Sequence, residues 1–410
     1  MENSARLANG ITTAISARAS RLWLAVALLV VSTVICGISW YIRQPDVWYR
    51  RGLDALIRGD VKSIQESARR LQRRARGSAR ADLLQGAAAL RTGDPAGALA
   101  FLKRAGADPE TEWQARFLAG EALYRLQEYE AAVATLQAAV DHSPDNVDGH
   151  RWLAAACFDL GDIDQAIAHL IRVAELAPDD PRPHRMMGVI YADAEDYKQA
   201  VDAYQASLQR SRRHAGLDEV LAELAAVQIK LRRYTDALET LASDHETVDL
   251  RILRAEALYG LGQTDDARQI LEATSTADSD PRALVLRGLM LLDSGRPKQA
   301  ATLLRQGVAL QPDDFETRFK YVQALAQSGE AERARLEFAE VDRIKRIRLE
   351  FAGLLAQAQK FPHDADIRFQ LGELSAQLMR PELARKWYRA ALALDPGHTR
   401  ARAAINANGP

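Results

Sequence analysis

The sequence predicts an all-α protein: a solenoid of about ten stacked helical hairpins, preceded by one transmembrane helix. Three observations predict it. Gly52, Gly86, Gly120, Ala154 and Gly188 recur at intervals of thirty-four residues, with Ala98, Ala132, Ala166 and Ala200 following twelve residues behind. Pro144 and Pro178 trail by a further twelve. A fixed period near 34, with a small residue in each of two helices and Pro at the unit's end, marks helical hairpins that bury their apolar faces only by stacking. Lastly, Leu22 to Ile42 is an uncharged apolar run.

Residues 1–21 form a short basic tail. The run 22–42, LWLAVALLVVSTVICGISWYI, lies between Arg21 and Arg43. As a helix its length is roughly 31 Å, which matches a hydrocarbon core of about 30 Å. Trp23, Trp40 and Tyr41 occupy interfacial positions. The polar lead and the length favour a retained anchor, although Gly37 and Ser39 leave cleavage open as an alternative. Ile35 before Cys36 is too large for a lipoprotein processing site. Arg6, Arg18 and Arg21 favour a cytoplasmic N-terminus, with the repeats outside the cytoplasm. Arg43, Arg50, Arg51 and Arg58 argue the other way.

The formal net charge of −1 is unevenly spread, at +9 over residues 1–80 and −10 beyond. Basic residues beside a bilayer are drawn to anionic lipid at about 1 kcal/mol each. The asymmetry therefore reads as membrane-proximal charge and not as nucleic-acid binding. Arg outnumbers Lys 45 to 9, which suggests a GC-rich bacterial genome and hence a single-pass bacterial inner-membrane protein. Two cysteines build no disulfide framework; Cys36 and Cys157 read as small buried hydrophobes.

The repeats occupy 45–398. Unit 45–78 has Trp48 and Gly52 but Ile64 at the second small position, as an end unit would. Unit 79–112 has Gly86, Ala98, Leu102 and Ala105. Unit 113–146 is the most regular, with Gly120, Ala132, Leu136, Ala139 and Pro144. Unit 147–180 carries Leu153, Ala154, Cys157, Ala166, Leu170 and Pro178, and unit 181–214 carries Gly188, Tyr191, Ala200 and Tyr204. Units near 215–280 are irregular, marked by Ala237 and Ala267 and cut short near Asp244. Register returns at Gly288, Leu304 and Pro312, then at Leu325, Ala334 and Phe338. The last unit shows Leu371, Gly372, Ala384, Tyr388, Ala391 and Pro396. Gly161-Asp162 and Gly262-Gln263 are turn signals. Residues 399–410 form a capping segment or tail.

Ala334 and Ala384 stand fifty residues apart, sixteen more than one period. The stretch 341–362 has helical apolar spacing at Ile344, Ile347, Leu349, Phe351 and Leu354, and predicts a prolonged second helix or an extra helix ending near Phe361-Pro362. It is either a stacking irregularity or a docking element. Arg343, Lys345, Arg346 and Arg348 read as a solvated face.

This pattern resembles the tetratricopeptide repeat family, whose units carry an aromatic at position 4, Leu-Gly at 7 and 8, an aromatic at 11, Ala at 20, an aromatic at 24, Ala at 27 and Pro at 32. The resemblance implies a right-handed superhelix whose concave groove binds a protein or peptide. It places positions 2, 5, 9, 12 and 13 in that groove. Those positions give Phe117, Glu121, Tyr124 and Arg125, then Arg151, Phe158 and Asp159, then Arg185 and Asp193. Aromatic residues alternating with Arg suit capture of a helix or extended peptide. Chaperone-binding members place Lys at 5 and Asn at 9. This chain has Phe117 and Glu121, then Arg151 and Ala155, so capture of acidic C-terminal tails is not implied.

No P-loop, dinucleotide-binding glycine pattern, HExxH or CxxC is present, so no cofactor is expected. His150 and His184 share position 4 one unit apart and read as core imidazoles, since no third metal ligand accompanies them. Asp179-Asp180, Asp265-Asp266 and Asp313-Asp314 read as helix caps. The sequence therefore predicts a non-enzymatic, membrane-anchored scaffold that recruits or assembles cell-envelope proteins. The alternative is a non-catalytic subunit or regulator of a membrane enzyme complex for polysaccharide export, cytochrome maturation or lipopolysaccharide control.

Overall fold

The computed structural model describes residues 45–73, 78–210, 216–242, 247–274, 280–361 and 364–407. Every regular element among them is an α-helix. The tail 1–21 and the expected membrane helix 22–42 lie outside the described residues. Among the described helices, none is long and apolar enough to cross a membrane.

Two compact units divide the chain, one ending at Gln127 and the other starting at Glu128. The first holds α1 (Pro45–Arg58), α2 (Val61–Gln72), α3 (Ala79–Arg91), α4 (Pro95–Ala105) and α5 (Glu112–Arg125). The second opens with α6 (Tyr129–His142). It continues with the pairs α7 (Val147–Asp159) and α8 (Ile163–Leu176), α9 (Arg182–Asp193) and α10 (Tyr197–Arg210), then α11 (Leu217–Lys230) and α12 (Tyr234–Thr240). Next come α13 (Val248–Gly260) and α14 (Thr264–Glu272), α15 (Pro281–Asp293) and α16 (Pro297–Leu310), then α17 (Phe315–Gln327) and α18 (Ala331–Lys360). The unit closes with α19 (Ala365–Gln377), α20 (Pro381–Leu394) and the single helix α21 (Thr399–Ala407).

Four hairpins are built on a close approach between residues sixteen apart. A Cβ added to Gly86 would stand 2.6 Å from the Leu102 side chain, one on Gly188 2.6 Å from Tyr204, and one on Gly372 2.4 Å from Tyr388. Gly288 repeats the relation with Leu304 at 2.8 Å. The missing side chain on the first helix is filled by a large one on the second, and the two helices draw together. Acidic caps start many helices. Asp94 accepts from the Gly97 N–H, Asp162 from Gln165 and Asp364 from Ile367. Asp314, from one of the paired acids, accepts from both Glu316 and Thr317.

The irregular region has a simple cause. α12 has 7 residues and α14 has 9, so their second helices are truncated. The sixteen-residue excess is one unbroken 30-residue helix, α18. Its extension buries Ile344, Ile347 and Leu354 against Ile367 and Leu371 of α19 and Trp387 of α20. Its basic cluster is engaged instead of merely solvated. Arg343 pairs with Glu340 at 2.5 Å, Lys345 lies 5.4 Å from the Phe315 ring centroid, and Arg348 pairs with Glu195.

Candidate functional site

The groove residues read from the sequence are divided between the two units. In the first, Phe117 is half-buried and packs beside the core built around Leu84, Leu102 and Leu118, and Tyr124 is half-buried near the end of α5. Glu121 is 1% exposed, and its carboxylate accepts from Arg91 at 2.9 Å and from Arg125 at 2.7 Å. Two charged groups expected to meet a partner, Glu121 and Arg125, thus pair with each other, and Arg91 joins them.

In the second unit, Arg151 pairs with Asp148 and, at 2.6 Å, with Asp180. Arg185 donates twice to Glu223, at 2.8 and 3.1 Å. Phe158 and Asp193 face an open space instead. His150 does not meet His184. Its Nδ1 lies 3.0 Å from Nδ1 of His169, and its Nε2 lies 2.9 Å from the Pro144 carbonyl. Burial pushes the Cys157 thiol up to about 12, with Asp162 adding to the shift, so it is an inert packed group.

The space beside Phe158 is a cavity of about 660 Å³, within the range of ligand and peptide pockets. One wall comes from α7 and α9, including Phe158, Ile190 and Asp193; the other comes from α18 and α20, including Phe351, Leu383, Lys386 and Trp387. The last hairpin of this unit therefore meets the groove side of its first two. Lys386 Nζ sits 3.2 Å from the Phe158 ring centroid. Trp387 is 5% exposed and meets Phe351 edge-on, at 6.4 Å between centroids and 71° between planes. Arg348 closes the rim on Glu195, and Arg380 holds Asp313 at 2.5 Å.

The electrostatics follow from this crowding. Burial lowers the Lys386 ammonium to about 8, although Asp159 and Asp193 pull it upward. The same packing pushes the Asp193 carboxyl above its ordinary range, against Lys386 and Arg380. Across the unit, burial likewise raises Glu256, opposed by Lys230 and Arg282. The site has a cation on an aromatic face, an acid opposite it and apolar walls. It can grip an amphipathic side-chain cluster.

The sequence reading found Phe158, Asp159 and Asp193 but missed Lys386 and Trp387. One signal was present: Trp387-Tyr388 places two aromatics where a repeat uses only Tyr388 against Gly372.

Antiparallel helix pairs stacked on small-residue contacts, with side chains gathered on an inner face, define a helical-repeat protein of the protein-binding class. Tetratricopeptide repeat models match residues 128–190 and 291–358, 252–297 and 350–399, and 79–104. Together these stretches cover more than half of the chain, which belongs to the tetratricopeptide repeat family. No curated protein sequence matches it. Solved structures similar to it include a tetratricopeptide repeat protein from Parabacteroides merdae, at 14% identity over 60% of this chain and 98% of that one, TM-score 0.43. Pseudomonas aeruginosa pilF is similar at 17% identity over 52% and 97%, TM-score 0.44. MamA from Desulfovibrio magneticus RS-1 is similar at 17% identity over 41% and 95%, TM-score 0.36.

Proposed function

We propose that this chain is a membrane-anchored scaffold that holds cell-envelope proteins through the inner face of its repeats. The observation that carries this reading is the cavity beside Phe158, where apolar walls and charged groups lie together on the side of the hairpins that the family uses for partners. The segment Leu22 to Ile42 supplies the tether, and the excess of basic residues over 1–80 suits an anionic bilayer surface. The repeats face the extracytoplasmic side.

Two measurements test this. Pull-down from detergent extract should recover a specific protein with the wild-type chain and less of it with Phe158→Ala/Asp193→Ala. Recovery of nothing specific by either form contradicts the scaffold reading. In spheroplasts, added protease should digest the repeats; their protection would reverse the sidedness.

A further inference from the structure

The groove side of α7 and α9 already holds something: the Lys386-Trp387 pair of α20. Lys386 stands outside the repeat's own packing, which uses Ala384, Tyr388 and Ala391, while Trp387 serves both sides, since it also shares the core of Ile344, Leu354 and Leu371. Lys386 lays its ammonium on Phe158, while Gly161 at the end of α7 leaves bare backbone for the Trp387 indole. Adjacent residues on one helix thus fill two adjoining subsites, one aromatic and acidic, one flat and without a side chain.

The seating is incomplete in three ways. About 660 Å³ stays open between the two walls. Lys386 has no carboxylate within ion-pair distance among the described residues, although Asp159 and Asp193 act on it through space. Among the described residues the buried Trp387 Nε1–H finds no acceptor, and a buried donor left so costs about 1–3 kcal/mol. The resident element marks what the surface recognises, yet leaves affinity unused.

We propose that the face formed by Phe158, Gly161 and Asp193 is a recognition surface for a partner helix bearing a basic residue next to an aromatic one, held in cis by Lys386-Trp387 until such a partner displaces it. This rests on the protein-binding reading above and specifies the partner's chemistry. A longer guanidinium on the partner would reach Asp193 with paired hydrogen bonds, which the Lys386 ammonium does not make. The cis element has the advantage of high effective concentration, so the exchange favours partners that fill the residual space.

The test titrates a fluorescent peptide with the sequence of residues 381–394 against the full chain, following anisotropy. The wild type should bind weakly. Lys386→Glu/Trp387→Ala, which empties the face, should bind at least about tenfold more tightly. Adding Phe158→Ala should reverse that gain, and a peptide with its Lys-Trp pair changed to Glu-Ala should not bind. If the double variant loses its helical circular dichroism, Glu195→Arg, which breaks the Arg348 clasp at the cavity rim, carries the same comparison. A folded, opened chain that ignores the peptide, or binds both peptides alike, overturns the proposal. If that chain still recovers a specific protein in the pull-down, the scaffold reading stands and only this inference falls.

Discussion

Trp387 and Gly161 lie so close that a Cβ on Gly161 would stand 2.7 Å from the indole Cζ3. Gly161 also has φ +74°, a left-handed conformation that costs other residues roughly 1 kcal/mol or more. Gly161→Ala should therefore destabilise the chain by about 2–4 kcal/mol, combining backbone strain with overpacking. In Trp387→Ala the same substitution should cost about 1 kcal/mol, the backbone share alone. A double-mutant cycle by urea unfolding measures the difference. Equal costs in both backgrounds would show that the two residues do not meet.

Glycines inside the helices divide into two kinds. Gly372→Ala drives a methyl into Tyr388 and should cost about 1–3 kcal/mol. Gly353, in the middle of α18, has nothing within 4 Å of a built Cβ. Gly353→Ala should leave stability unchanged or raise it by up to about 1 kcal/mol, because alanine is the better helix former. Thermal melts of the two variants check the contrast.

The Gly372–Tyr388 relation was legible in the sequence because the period itself records it: a small residue and, sixteen later, a large one. Helix caps such as Asp314 were equally local. The seating of Lys386 on Phe158 was not, since 228 positions separate the two. A repeat pattern encodes how each hairpin packs on its neighbour. Where the last hairpin lands relative to the first depends on the summed rotations of all those between. The short α12 and α14 and the long α18 each change that sum, and none of their angles is written in the period. For the same reason the charges at Arg151 and Arg185 read as partner contacts, whereas neighbouring hairpins supply Asp180 and Glu223 to hold them.

The His150–His169 pair predicts a pH response. Pro144 offers only an acceptor, so His150 Nε2 donates to it and His150 Nδ1 accepts from His169. A second proton has no place between them. Burial, with His150 beside it, lowers His169 from its ordinary value, against Asp162. The unfolded chain therefore binds the proton more readily, and this group's stability is full above about pH 6.5 and is lost as pH falls below it. His169→Gln should flatten the pH profile of urea midpoints between pH 7 and 5. An unchanged slope would remove the pair from the account.

Lys386 titrates in the opposite range. With its ammonium lowered to about 8, the folded chain gives up this proton before the unfolded chain does. The group's contribution to stability accordingly rises between about pH 8 and 10.4. At pH 8, an acylating reagent should modify Lys386 ahead of exposed lysines such as Lys103, as peptide mass mapping would read. Labelling at Lys386 no faster than at Lys103 would contradict a lowered, reactive ammonium there.

The proposed protein-recognition face at Phe158, covered by the chain's own α20, can be probed in place. A photo-crosslinking residue at position 158 of the full chain, activated in the native cells, tests it most directly. The expected products are an intrachain adduct mapping to residues 383–387 and an intermolecular adduct with one other protein, the second growing in Glu195→Arg. An adduct that never reaches α20, or one that never leaves the chain even in Glu195→Arg, would contradict it.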